Sequence, residues 1–236
     1  MKMRYLIKYT KGSDIKYVSH LELMRTIQRI LRRADLPVAY SKGFNPHIIL
    51  SIAQPLSVGV YSKGEYMDVE FSEEVDEDYI KREFNENAPA GIKVLDVVKV
   101  KDKDGEKKLP QAMAAVEAAK YTLDLRCIDE KNVEEELNKL MKSSEWSIVK
   151  RSKKGEKEVN IKPLIKEFKF SIKDSVLHIE TLVTAGSKEN LSAQLITEYL
   201  KGNIDGLDKE AFTYIERIDM FAYKGKKMLP LNEYFN

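Results

Sequence analysis

The 236-residue sequence has one cysteine, Cys127, and one tryptophan. A single cysteine can neither form an internal disulfide bond nor supply a multi-cysteine zinc or iron–sulfur site. The sequence therefore excludes disulfide scaffolds and enzymes with such clusters, and we predict neither a cofactor nor a metal. We expect Cys127 to be a small buried hydrophobic residue.

Long apolar runs are also absent, since none approaches the roughly 20 residues of a membrane-spanning helix. The segment Met1–Lys8 alternates like a strand, and its apolar run is too short for a secretory signal. The composition, 43% hydrophobic and 33% charged, is typical of a soluble protein with a heavily charged surface. We predict a cytoplasmic protein that does not enter a membrane.

Several familiar catalytic motifs are missing as well. The sequence has no glycine-rich phosphate loop ending in lysine, no dinucleotide fingerprint and no zinc-protease helix. Asp68 and Glu70 alternate with apolar residues, which predicts the solvent side of a strand and not a metal pair. None of these patterns points directly to a reaction.

The sequence does contain segregated charge. The net charge is only +2, but Met1–Tyr66 holds eleven basic and four acidic residues, whereas residues 67–106 hold six basic and thirteen acidic ones. Such segregation lets one face be cationic without an extreme isoelectric point, as in proteins that bind polyanions. Near the carboxyl terminus, residues 223–228 add a basic patch that we interpret as a frayed tail more readily than as part of a groove.

The order of the predicted elements indicates an α+β fold. The length favours two domains, and the first hundred residues predict strand, helix, strand, strand, helix, strand. This βαββαβ order is the ferredoxin-like plan, in which two helices cover one face of an antiparallel sheet. The order recurs later with an added hairpin turned at Lys154–Gly155. We predict tandem ferredoxin-like domains at residues 1–101 and 118–236, joined by a charged linker at 102–117.

A capped helix with a basic face is predicted from Ser19 onward. Ser19 and Glu22 fit a capping box, in which each side chain satisfies an amide of the first turn. Arginines without interleaved glutamates then recur on one side of the helix, and arginine favours forked contacts to phosphate. The residues of this basic helix face are Arg25, Arg29, Arg32 and Arg33. The face is either an ordinary solvated surface or a binding surface for phosphates.

A turn-forming loop follows the helix, because Gly43 permits a positive φ and Pro46 fixes its own φ. The loop either simply connects a helix to a strand or binds a ligand. In the binding interpretation two aromatic rings stack on bases, a lysine contacts a phosphate, and two polar side chains contact a base edge or a sugar hydroxyl. The two rings are those of Tyr40 and Phe44, the lysine is Lys42, and the polar side chains are Asn45 and His47.

Two histidines flank this region, His20 in the first helical turn and His47 just past the loop. A histidine pair can supply the general acid and base for metal-free RNA cleavage, which makes a ribonuclease an alternative. Histidines near a basic helix more often make only packing or hydrogen-bond contacts. His178 lies in an alternating strand, and we expect it to be structural.

One further pattern is dense over the first seventy positions. It consists of Ser19–Arg25, Arg29, Arg32–Arg33, Leu36–Pro37, Tyr40–Ser41, Gly43–His47, Leu56, Gly59 and Glu65–Tyr66. Together these residues closely resemble the bacterial radical-SAM-linked domain of unknown function, although Glu22 stands where that family commonly has Asp. Asn160–Leu164 is similar to a later segment of the family. The resemblance implies a partnership with a B12-binding-type radical SAM protein, and it implies no activity.

The leading hypothesis is a non-catalytic accessory protein that binds nucleic acid, with RNA as the expected ligand. A radical SAM enzyme needs three cysteines to hold its cluster, so a chain with one would bring substrate to that enzyme. The alternatives are a metal-independent ribonuclease that uses His20 and His47, and a protein-only adaptor whose basic helix face docks on an acidic partner.

Overall fold

The computed structural model describes residues 2–101, 108–152 and 155–236. The chain forms two compact units, one made of residues up to Glu117 together with Arg217–Asn236, and the other made of Ala118–Glu216. The fold is mixed α+β with mostly antiparallel strands, which confirms the α+β part of the prediction. No helix within the described ranges is both long and apolar enough to cross a membrane.

The structure assigns regular elements along both units. The strands in the described ranges are β1 (Met3–Lys11), β2 (Leu50–Ile52), β3 (Tyr61–Phe71), β4 (Ile92–Lys99), β5 (Ala118–Arg126), β6 (Ser147–Ser152), β7 (Gly155–Asn160), β8 (Ile165–Lys173), β9 (Val176–Thr184), β10 (Tyr214–Lys224) and β11 (Lys227–Pro230). The α-helices there are α1 (His20–Arg33), α2 (Glu77–Asn87), α3 (Ala112–Ala115), α4 (Glu130–Lys142), α5 (Ala193–Asn203) and α6 (Leu231–Phe235).

The sheet of the first unit contains the order β4-β1-β3-β2, and each of these neighbouring pairs is antiparallel. Helices α1 and α2 pack on one face of this sheet, because their apolar residues share a buried cluster with alternate residues of β1 and β3. Removing this apolar surface from water is the main force that stabilises the unit. The first unit therefore has the predicted βαββαβ arrangement.

Helix α1 begins where the sequence predicts it. Ser19 Oγ accepts a hydrogen bond from the Glu22 backbone N–H, and Glu22 Oε2 accepts one from the Ser19 N–H, both at 3.3 Å. The helix then buries an apolar stripe formed by Leu23, Ile27, Ile30 and Leu31. It ends before Asp35, which adopts a left-handed φ of 49°.

The carboxyl-terminal segment belongs to the first unit. Strand β10 lies beside β3 at Gly64, where an added Cβ would collide with the Ile218 carbonyl oxygen and lie 2.8 Å from Asp219 Cα. Beyond Gly225, β11 pairs back onto β10, and α6 follows. The interpretation of residues 223–228 as a frayed tail is therefore wrong.

Polar contacts explain why residues 217–236 group with the first unit, although the predicted second domain included them. The Tyr66 hydroxyl donates to Asp219 Oδ1 at 2.6 Å and lies 3.0 Å from Asn232 Oδ1. Lys8 Nζ lies 2.7 Å from Asp219 Oδ2. Of the predicted linker, residues 102–107 lie outside the described residues, and α3 within its remainder packs on the first unit.

The second unit contains β5, β9 and β8 as antiparallel neighbours, with helices α4 and α5. The predicted hairpin is present as β6 and β7, although Lys154 of its expected turn lies outside the described residues. Trp146 stacks on Tyr199 with ring centroids 5.1 Å apart. The expected closing strand, β10, lies mainly in the first unit, so two complete tandem ferredoxin-like domains are not confirmed.

Glu65 and Arg217 form a buried ion pair in the first unit. Arg217 Nη1 lies 2.9 Å from Glu65 Oε1 and also donates to the carbonyl oxygen of Gln54 at 3.1 Å. Burial raises the pKa of Glu65, whereas the guanidinium of Arg217 opposes that rise. The guanidinium of Arg217 therefore favours the ionised form of this buried carboxyl group.

Arg217→Met is expected to lower the free energy of unfolding by about 3–5 kcal/mol at neutral pH, because it leaves the Glu65 carboxylate buried without its partner. Without the guanidinium, the folded-state pKa of Glu65 lies still further above its unfolded value. The folded variant then binds a proton more readily than the unfolded one, so the loss should shrink as the pH falls. Urea denaturation at about pH 8 and about pH 5 measures both effects.

Arg82→Met is the matched control, since exposed Arg82 pairs with its neighbour Glu83. We expect it to change the free energy of unfolding by about 0.5 kcal/mol or less at either pH. If Arg217→Met behaved like this control, or lost more stability at the lower pH, the buried pair would not have the role described.

Candidate nucleic-acid interface

Three arginines project from the face of α1 that is turned to solvent. At 100° per residue, Arg25, Arg29 and Arg32 lie opposite the buried stripe, and all three are exposed. Within the described part of the chain, no carboxylate lies within 4.0 Å of these three guanidinium groups. Arg33 differs, because its Nη2 donates to the carbonyl oxygen of Asn87 at 2.7 Å. We call Arg25, Arg29 and Arg32 the arginine row.

The loop Ser41–His47 is closed by hydrogen bonds between its ends. The Ser41 N–H donates to the His47 carbonyl oxygen at 2.8 Å, and the His47 N–H donates to Ser41 Oγ at 3.1 Å. The same hydroxyl lies 3.1 Å from His47 Nδ1. Gly43 has a φ of 125°, a conformation that residues with a Cβ rarely adopt. The loop is thus a defined structure that holds His47 in place.

Between its ends this loop presents an apolar ring to solvent. The side chain of Phe44 is fully exposed, and Tyr40, just before the loop, is 43% exposed. Lys42 and Asn45 are exposed on the same loop. An exposed aromatic ring beside a cation offers a surface on which a base can stack while its phosphate is neutralised.

A cavity of about 350 Å³ opens beside the loop. Its lining includes Ser41, His47, Arg4, Asp68 and Glu70. The cavity lies on the face of the sheet opposite α1, because Asp68 and Glu70 alternate with the β3 residues that pack against α1. The arginines of α1 do not line it. The structure therefore does not bring the arginine row and this cavity into one groove.

The two histidines of the ribonuclease alternative lie at opposite ends of the first unit's sheet. His20 starts α1 beside the end of β1, where Lys11 Nζ donates to the carbonyl oxygen of Val18 at 2.9 Å. The helix then runs back along the sheet for about 20 Å, whereas His47 lies near Glu70 at the other end. The geometry does not assemble a two-histidine site.

The remaining candidate side chains lie in the second unit. His178 Nδ1 lies 2.8 Å from Asp124 Oδ1 on a neighbouring strand, and both side chains are partly exposed. Cys127 is buried, as predicted, and burial raises the pKa of its thiol. Among the described residues, no group of three or more histidine, cysteine, aspartate or glutamate side chains is placed to hold a metal ion.

Asp68 has an environment that its sequence pattern did not reveal. Alternation predicted a solvated residue, but Asp68 is only 4% exposed because α3 covers it. Its Oδ2 accepts a hydrogen bond from the Ala112 N–H at 2.6 Å, and Oδ1 lies 3.9 Å from Arg4 Nε. Burial raises the pKa of Asp68, whereas these two neighbours oppose the rise. The short apolar run that forms α3, inside the predicted linker, was the signal for this contact.

Comparison with known proteins gives one family match. The model of the family described as "Uncharacterized protein conserved in bacteria (DUF2344)" matches residues 4–193. No curated protein matches the chain. Among solved structures, the chain is similar to one in "Crystal Structure of a Cbf5-Nop10-Gar1 Complex", with 12% identity, a TM-score of 0.48, and coverage of 92% of this chain and 48% of that chain. This chain thus spans about half the length of that one.

A second solved structure is an unknown protein from Galdieria sulphuraria, with 10% identity and a TM-score of 0.26. The similarity covers 92% of this chain and 99% of that one. Both TM-scores lie below 0.5, so neither structure bears on the function of this chain.

Single replacement of each arginine in the row by alanine is expected to change the free energy of unfolding by no more than about 0.5 kcal/mol. The reason is that no described residue forms a hydrogen bond or an ion pair with these side chains, so the replacement removes no such contact from the fold. Arg33→Ala is the comparison, since it removes a hydrogen bond to Asn87 and should cost about 1 kcal/mol. Chemical denaturation measures all four. A loss above about 1 kcal/mol for Arg25, Arg29 or Arg32 would show that the row serves the fold.

Proposed function

This chain belongs to the DUF2344 family of proteins conserved in bacteria, and we propose that it is an accessory protein that binds nucleic acid, with single-stranded RNA as the ligand. The binding surface consists of the arginine row and the loop Ser41–His47. The observation that carries the proposal is that three neighbouring guanidinium groups face solvent, with no carboxylate of the described residues within 4.0 Å.

The spacing of the arginine row suits a phosphate backbone. Arg25 and Arg29 are separated by about 6 Å along the helix axis, and Arg29 and Arg32 by about 5 Å. Each guanidinium has a planar fork of donors that can contact a separate phosphate. Three such contacts in a line favour an extended polyanion over a single small anion.

The loop adds a different kind of contact. Phe44 supplies a stacking surface for a base, Lys42 a cation for the adjacent phosphate, and Asn45 a polar side chain for a base edge or sugar. Residues 34–40 connect α1 to this loop, and a flexible single strand is able to bend from one surface to the other. Stacking on an exposed ring also requires an unpaired base, which favours single strands over duplexes.

We propose further that a radical SAM enzyme acts on the bound RNA. The support is the residue pattern within Ser19–Tyr66, which resembles the radical-SAM-linked domain, and the presence of one cysteine in these 236 residues. A chain with one cysteine cannot itself supply the three thiolates of such a cluster. In this arrangement the chain presents the substrate, and its partner supplies the chemistry.

The double variant Arg29→Glu, Arg32→Glu is expected to bind single-stranded RNA at least about tenfold more weakly, because two cations that face phosphates become anions. If Arg25, Arg29, Arg32 and Lys42 each neutralise one phosphate, the parent should show a slope of log affinity against log salt of about −3. The variant should show a slope of about −1.5. Binding titrations at several salt concentrations give both values.

Lys131→Glu, Lys139→Glu is the matched control, since it makes the same change in net charge on the exposed face of α4. The proposal is refuted if the α1 variant binds RNA as well as the parent, or if the control loses as much affinity. Unchanged RNA affinity, together with loss of a copurifying acidic protein, would instead support the protein-only adaptor.

Phe44→Ala is expected to weaken RNA binding by about 1–3 kcal/mol, because it removes a stacking surface. The salt slope should stay unchanged, since no charge is altered. Val58→Ala, which shortens another exposed apolar side chain of the first unit, is the control and should bind like the parent. If the parent and the Phe44→Ala protein bound RNA with equal affinity, the loop would not be part of the binding surface.

A further inference from the structure

The cavity beside the loop Ser41–His47 has the size and the lining of a small-ligand site. Its volume of about 350 Å³ lies within the range of known ligand pockets. Ile49 gives it an apolar wall, and Ser51 and Glu70 add polar groups. A flat ring with a polar edge, such as a nucleobase, matches this combination.

Two charged residues of this cavity are already engaged by the chain itself. Arg4 donates to the carbonyl oxygens of Pro110 at 3.0 Å and Leu109 at 3.1 Å, and its guanidinium lies 5.5 Å from the ring centre of Phe235. Asp68 is buried and accepts a hydrogen bond from a backbone N–H of α3. These residues hold the floor of the cavity in place. The accessible carboxylate is therefore that of Glu70.

Glu70 has a cation beside it. Lys2 Nζ lies 3.5 Å from Glu70 Oε2 and 3.4 Å from the carbonyl oxygen of Tyr40. The side chains of Lys2 and Glu70 are 47% and 30% exposed, so a ligand can reach both. An ammonium group is only a donor, and an ionised carboxylate is only an acceptor with two oxygens. The pair thus presents one donor next to two acceptors.

We propose that this cavity binds one guanine base of the RNA, with Glu70 accepting hydrogen bonds from N1–H and the 2-amino group while Lys2 donates to O6. This inference rests on the proposed function. The pairing edge of guanine presents one acceptor followed by two donors, which complements Lys2 and Glu70 in order. Uracil alternates acceptor, donor and acceptor, cytosine has one donor and two acceptors, and adenine has one donor beside one acceptor. Guanine is therefore the base whose pairing edge has two neighbouring donors, N1–H and the 2-amino group, for the two oxygens of one carboxylate.

The test uses labelled oligouridines of about nine nucleotides whose central base is guanine, inosine, adenine, cytosine or uracil. By fluorescence anisotropy, the parent should bind the guanine oligonucleotide about tenfold more tightly than the all-uracil one. Inosine should be intermediate, because it lacks the 2-amino group. Glu70→Gln should reduce the guanine preference, measured as the ratio of the affinities for the guanine and all-uracil oligonucleotides, to within about twofold.

Glu86→Gln is the matched control, since it removes the same charge from an exposed position on α2, across the sheet from the cavity. It should retain the guanine preference. Lys2→Met, outside every helix and strand, is a second variant that should weaken the preference without touching β3. Thermal unfolding of each variant shows whether the fold is intact.

Equal affinity of the parent for all five oligonucleotides would overturn the guanine site. If the Arg29→Glu, Arg32→Glu protein then lost affinity for all five oligonucleotides, the proposed function would be supported without the guanine site. The opposite outcome is also possible: the guanine preference depends on Glu70, but Arg29→Glu, Arg32→Glu causes no loss of affinity. That result would support guanine binding in the cavity and refute RNA binding by the arginine row. Failure of the parent to bind any of the oligonucleotides would overturn both.

Discussion

The contact between Glu65 and Arg217 joins residues 152 positions apart in sequence and fixes β10 beside β3. Apolar burial is not directional and does not by itself select which strand lies there. A buried ion pair does select the neighbouring strand and its register, since both charges are paired in one register only. With β10 in place, α6 follows onto the sheet, and its Phe235 lies against Arg4. The floor of the cavity beside the loop thus depends on an ion pair remote in sequence.

The two surfaces of the first unit use different physical interactions. The arginine row offers charge to a phosphate backbone, which is strong at low salt and independent of sequence. The loop and cavity offer an aromatic ring and a carboxylate, the groups that would contact bases in the proposed function. A protein with both kinds of surface can capture a strand non-specifically and then retain the segments that fit. This division of roles is consistent with the accessory function that we propose.

Much of the first unit could be predicted from the sequence, because its signals are local. The capping box at Ser19, the apolar stripe from Leu23 to Leu31 and the alternation of β3 all lie within a few turns or residues. Residues 217–236 could not be placed, because their contacts join Arg217 and Asp219 to residues of β1 and β3 far away in sequence. A short β11 and a short α6 also carry too few residues for a periodic signal.

The candidate site also combines features that local sequence signals predict with features that depend on contacts distant in sequence. The exposure of Phe44 and the free face of the arginines follow from turn chemistry and helix periodicity, which are visible in sequence. The burial of Asp68 does not follow, because α3, in the predicted linker, covers that strand. The cavity was missed for the same reason, since Arg4, Asp68 and Glu70 come together only when β1 and β3 pair.

Three like charges within two turns of α1 also affect the helix that bears them. Arginines spaced by three or four residues repel one another by a few tenths of a kcal/mol per pair. The apolar stripe on the opposite side keeps the helix formed despite this repulsion. An extended anion laid along the row would screen the repulsion and would bind the folded chain in preference to the unfolded one. In the proposed function, occupancy of the row by a polyanion and the conformational stability of the chain are therefore thermodynamically linked.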